Sequence, residues 1–278
     1  MKNKHIISMS AMLTASLAAA SAQTITDWNF DGLGTQAAPY NSPAPSFGTG
    51  TATVLGMVND YNDGGSASTG AFADITATAG ASTGAGSYAW RIRGGNTVAG
   101  TPNGWSSQAP IATQGAEFTT STVGFNNIQV SFDLYTTSAA EANVALLYTL
   151  NGGTTWTDAA ITYSGAMTAI AENNTTSANT ITGAYLRLTT AAGGWYNGIT
   201  ANLTGVAGAN NNSGFGIEIV NASTGADVIN QTGGAYNNSS GNWRFDNVEI
   251  TSVPEPGPLA MAGLGLAIFG FLRKFRKA

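Results

Sequence analysis

The run Ile128-Gln129-Val130-Ser131-Phe132-Asp133-Leu134 places an apolar side chain at every second position. Successive side chains of an extended chain point to opposite faces, so Ile128, Val130, Phe132 and Leu134 predict a strand with one buried side. The alternation recurs upstream in Tyr88, Trp90 and Ile92. Downstream it returns in Val144, Leu146, Tyr148 and Leu150, then in Ala184, Leu186 and Leu188, then in Phe215, Ile217 and Ile219. Gly-, Asn-, Ser- and Thr-rich stretches separate these segments, and none of them carries a helical period. Strands without intervening helices favour an all-β fold, here an antiparallel two-sheet β-sandwich of jelly-roll type, over an α/β fold.

Two local features refine that expectation. Asn151-Gly152-Gly153 follows one strand and tolerates the positive φ of a tight turn, which predicts a hairpin. In Trp243-Arg244-Phe245-Asp246-Asn247-Val248-Glu249-Ile250 the apolar parity slips between Phe245 and Val248. A β-bulge at Asp246-Asn247 would return both apolar pairs to the same face.

Composition limits the chemistry. Charged residues make up 9% of the 278, against a usual ~25%, which is unlike a cytosolic helical enzyme. Cysteine is absent and the one histidine, His5, lies in the N-terminal run. Thiol catalysis, disulfides, His-liganded zinc and His-dependent triads are thereby excluded. Between residues 23 and 253 stand four basic residues (Arg91, Arg93, Arg187, Arg244) and fourteen acidic ones, a balance of −10. Such a body repels a phosphate backbone, so nucleic acid is not an expected partner.

The two ends read as addresses. Lys2 and Lys4, an apolar stretch from Ile6 to Ala20 and the small-residue exit Ala20-Ser21-Ala22 form a secretory signal peptide over residues 1–22, with cleavage between Ala22 and Gln23. A secreted domain then occupies 23–252. Residues 253–278 join Val253-Pro254-Glu255-Pro256 to fourteen uncharged residues, Leu259 to Leu272, and to the basic cluster Arg273, Lys274, Arg276 and Lys277. As a helix the fourteen residues would rise ~21 Å against a ~30 Å hydrocarbon core, a short transmembrane anchor. The basic cluster would stay on the cytoplasmic side and leave the body outside.

This layout resembles the bacterial PEP-CTERM sorting signal. The resemblance implies recognition by an exosortase-type membrane protease, with cleavage near Pro254, Glu255 and Pro256. Before processing the C-terminal helix would hold the protein in the membrane; afterwards the body would reach the envelope, cell surface or extracellular matrix.

Site candidates are fewer. Thr149-Leu150-Asn151-Gly152-Gly153-Thr154-Thr155-Trp156 resembles the Asp-box turn of secreted β proteins, with Thr for Ser and Asn for Asp. That resemblance implies a structural turn with Trp156 packed beneath it. Asp27-Trp28-Asn29-Phe30-Asp31 and Asn242 to Ile250 resemble the terminal strands of jelly-roll carbohydrate-binding modules. Those modules imply a structural calcium near the chain ends, here ligated by Asp31, Asp246 and Asn247. Asp60 to Gly65 also gathers oxygen ligands, without EF-hand spacing. Trp105, Trp195 and Tyr196 sit among loop formers, and their rings are the expected sugar contacts. Asp133, Glu141, Glu218 and Glu249 are carboxylates from which a hydrolase would draw a pair, but spacing in sequence places none of them together. The leading expectation is a non-catalytic surface or matrix protein that binds polysaccharide. A polysaccharide hydrolase or lyase and a ligand-free structural matrix component are the alternatives.

Overall fold

The computed structural model describes residues 22–31, 42–56, 58–59, 71–73, 88–93, 105–106, 110–164, 168–170, 185–188, 194–223, 237–238 and 241–253. The signal helix, the C-terminal transmembrane helix and the 60–65 segment expected from the sequence lie outside these residues.

Nine strands carry the architecture: β1 (Gln23–Trp28), β2 (Gly50–Leu55), β3 (Tyr88–Arg93), β4 (Gly115–Thr120), β5 (Ile128–Thr136), β6 (Asn143–Thr149), β7 (Gly194–Asn202), β8 (Phe215–Asn221) and β9 (Asn242–Ser252). They form two antiparallel sheets, as the alternating pattern requires. An eight-stranded sheet runs β7-β5-β9-β3, with β1 beside the second half of β9 and short strands at its edges. A seven-stranded sheet contains β6-β8-β4-β2, again with short edge strands. Consecutive members of the nine switch from one sheet to the other.

Aromatic rings hold the two sheets together. Phe118 of the seven-stranded sheet meets Trp28, Trp90 and Phe245 of the eight-stranded sheet at ring-centroid distances of 5.3, 5.9 and 5.8 Å. All four side chains are buried, with Ile128, Val130, Phe132, Leu134, Phe215, Ile217 and Ile219 beside them. Removing one such ring would cost about 3–5 kcal/mol.

Two bulges flank Asp133. Along β9, Asp246 pairs with Asp133 and Glu249 with Ser131, so Asn247 and Val248 together face Phe132. Asn247 takes the left-handed conformation, φ 48°. The parity change returns Val248 and Ile250 to the core beside Trp243 and Phe245, all four fully buried. Along β7, Tyr196 pairs with Leu134 and Ile199 with Phe132, leaving Asn197 and Gly198 (φ 72°) opposite Asp133. The Asp133 carboxylate accepts Gly198 N–H at 2.6 Å and Asn247 Nδ2–H at 2.8 Å. Burial raises its pKa, while these two donors pull in the opposite direction.

The hairpin after β6 forms as its glycines suggest: Thr157–Ala159 returns along β6, and Gly152 and Gly153 have φ of 67° and 85°. Thr149 Oγ1 donates to Asn151 Oδ1, which also accepts Thr155 N–H. Trp156 leaves the turn to cover a second apolar cluster of Ile111, Ala145, Leu147, Val220 and Ala222 on the outer side of the seven-stranded sheet. Both faces of β6 are therefore covered, which explains the unbroken Val144-Ala145-Leu146-Leu147 run. Val253 ends the described chain, its N–H donating to Asn127 O and its carbonyl accepting Asn127 Nδ2–H.

Replacing Asp133 with Ala removes the acceptor of two part-buried hydrogen bonds at once. Denaturant unfolding of Asp133→Ala should lose about 2–4 kcal/mol of stability; a change under about 0.5 kcal/mol would mean that the bulges hold without their carboxylate.

Candidate functional site

Register assembles one row of side chains across the outer face of the eight-stranded sheet. Trp195 stands opposite Tyr135, Tyr135 opposite Arg244, and Arg244 opposite Arg91. Their strand neighbours Tyr196, Leu134, Phe245, Trp90 and Ile92 all lie in the core, so the row faces away from it. The Trp195 and Tyr135 rings meet edge to face at 5.5 Å, and the Arg244 guanidinium carbon lies 4.6 Å from the Tyr135 ring centroid. Arg244 Nε donates to Asn242 Oδ1. Trp195 is half-buried, and its indole N–H has no hydrogen-bond acceptor. The partly exposed Trp195 and Tyr135 rings offer an apolar platform on which a sugar can stack, whereas the indole nitrogen and the Arg244 side chain are buried.

The other two aromatic expectations are corrected. Trp105 is 1% exposed, with its ring 4.5 Å from Trp243, so it is a core residue despite loop-forming neighbours. Tyr196 is 3% exposed and packs on Tyr163. Adjacent residues of a strand point to opposite faces, and Trp195 takes the outer one.

The three residues expected to hold calcium near the chain ends lie among the described residues. β1 and β9 are neighbours, with Trp28 opposite Val248. Asp246, however, is fully buried and accepts Asn247 N–H, while the Asn247 amide donates to Asp133. Asn247 thus meets these carboxylates as a hydrogen donor. Among the described residues no group of three or more His, Cys, Asp or Glu is placed to hold a metal ion.

The candidate carboxylates separate by environment. Glu141 is fully buried and accepts Asn143 N–H at 2.7 Å and Ser223 Oγ–H at 2.9 Å, a structural role. Glu249 accepts Thr24 Oγ1–H at 2.6 Å. Glu218, on the outer side of the seven-stranded sheet, stands directly opposite Glu117. Burial raises the pKa of Glu218 to about 7, helped by the charge of Glu117, and burial raises Glu117 as well. Glu117 was not a sequence candidate; Ala116 and Phe118 on either side of it face the core and mark it as outward, but its partner depends on register.

An antiparallel sandwich with an aromatic row on one outer face and a carboxylate pair on the other ends, at Ser252, where a second kind of sequence begins. Residues 252–277 match the family model of the PEP-CTERM protein-sorting motif, a match that begins at the final residue of β9. Neither the search of curated proteins nor that of solved structures returned a match.

The Glu218 pKa fixes a pH dependence. Its folded value of about 7 lies above its ordinary 4.5, so its stabilising contribution is complete below pH ~4.5 and is lost as pH rises through ~7. With a metal chelator present, Glu218→Gln should flatten that part of the stability curve and unfold about 1–3 kcal/mol later than the parent at pH 8. Parallel curves for the two proteins would refute the assignment.

Proposed function

We propose that the sandwich is a non-catalytic polysaccharide-binding module of jelly-roll type, delivered to the cell surface or extracellular matrix. The export half of this reading rests on the PEP-CTERM sorting motif, whose recognition by exosortase, a membrane protease, marks an exported protein. Before processing, a C-terminal helix holds the chain in the membrane; cleavage near Pro254-Glu255-Pro256 then frees the body. Val253 is tied back to Asn127 immediately before that point.

The binding half rests on one observation: Trp195, Tyr135 and Arg244 lie in register on an outer sheet face, with the Trp195 and Tyr135 rings partly exposed. A glycan strand laid across the row would stack on the exposed parts of the Trp195 and Tyr135 rings. The bodily charge of −10 leaves neutral polysaccharides as the better match.

Purified protein is incubated with a panel of insoluble and soluble polysaccharides, scoring retention and reducing-end release together. Saturable retention without released ends is expected, and Trp195→Ala should weaken it roughly tenfold, about 1.4 kcal/mol, with an unchanged melting curve. Trp105→Ala should instead lower stability by about 3–5 kcal/mol. Released reducing ends, or full retention by Trp195→Ala, would overturn this reading.

A further inference from the structure

Among the described residues three pairs of carboxylates stand directly opposite each other across strands. Asp27 faces Glu249 and Asp133 faces Asp246 on the eight-stranded sheet, while Glu117 faces Glu218 on the seven-stranded sheet. Like charges in directly opposed positions destabilise a sheet. Six of the fourteen acids between residues 23 and 253 are nevertheless placed this way.

Hydrogen donors account for two of the pairs. Asp27 accepts from Ser46 Oγ and Glu249 from Thr24 Oγ1; Asp133 accepts from Gly198 and Asn247, and Asp246 from Asn247 N–H. The third pair differs. Glu218 is 6% exposed, and no hydrogen bond reaches either its carboxylate or that of Glu117 among the described residues. At that level of the sheet the register places Thr53 beside Glu117, Leu147 beside Glu218 and Asp158 beyond Leu147, with no basic residue in the row. A nearly buried carboxylate facing a second one is neutralised either by a proton or by a cation, and above the pH at which the proton leaves, a cation is the stabilising partner.

We propose that Glu117 and Glu218 together bind a divalent cation of the calcium class on the outer face of the seven-stranded sheet. Two carboxylates supply hard oxygen ligands and a charge of −2, and calcium accepts irregular sets completed by water better than magnesium does. With so few protein ligands the affinity belongs in the range of extracellular modules, a Kd of about 0.1–1 mM. The site lies on the sheet opposite to the aromatic row and stands independently of polysaccharide binding.

The test titrates calcium into the purified protein at pH 8 by calorimetry, with terbium luminescence as a second probe. One saturable site is expected, lost at least tenfold in Glu117→Gln and in Glu218→Gln, with calcium raising the melting temperature of the parent but of neither variant. Glu249→Gln, at a pair already served by a donor, should bind calcium as the parent does. Should Glu218→Gln fail to fold, Glu117→Gln carries the test at the more exposed partner. Absence of saturable uptake by the parent, or parental affinity in a folded Glu117→Gln, would overturn the proposal.

Discussion

Asp133 accepts one hydrogen bond from each neighbouring strand, and both strands are bulged within a residue of the point where they cross it. A strand alternates its side chains with period two, so an apolar set that changes parity part-way must expose half of itself or insert a residue. β7 and β9 both insert one. Tyr196 and Ile199 then share the core face, as do Phe245 and Val248. The carboxylate is buried to do this, and its raised pKa records the desolvation that the two donors only partly offset. The aromatic contacts between the sheets rely on the same arrangement, because Phe245 meets Phe118 and Trp90 just before the β9 bulge.

That parity also decides which side chains leave the core on each sheet. With Tyr196, Leu134 and Phe245 turned inward, Trp195, Tyr135 and Arg244 line up on the outside. On the opposite sheet, inward Phe118 and Ile217 leave Glu117 and Glu218 facing outward as a pair. One outer face thus carries rings and a guanidinium, and the other carries acid beside an apolar cluster. The sorting-motif match starts at Ser252, the final residue of β9, so the sandwich and the sorting signal occupy successive stretches of the chain.

Much of this was legible from residue order because local periodicity is a local property. The 128–134 and 215–219 strands, the Asn151-Gly152-Gly153 hairpin and the slip at Asp246-Asn247 each depend on neighbours within a few positions. Sites made by register were not legible. Trp195 reaches Arg244 only through Tyr135, and Glu117 meets Glu218 only because β4 and β8 pair, which no short window records. Trp105 misled for a related reason: glycine and proline nearby describe the backbone around it, whereas its burial follows from the distant Trp243. Tyr196 could have been set apart from Trp195 by strand parity, had the segment been recognised as a strand rather than a loop.

Deleting Asn247 tests the parity constraint most directly. Removal of the extra residue restores strict alternation and carries Val248 and Ile250 to the outer face, whereas Asn247→Gly keeps the residue count and permits the same positive φ. Thermal unfolding followed by near-ultraviolet circular dichroism should show no cooperative transition for the deletion and a retained one for Asn247→Gly. A deletion variant that unfolds cooperatively at the parental midpoint would contradict the account.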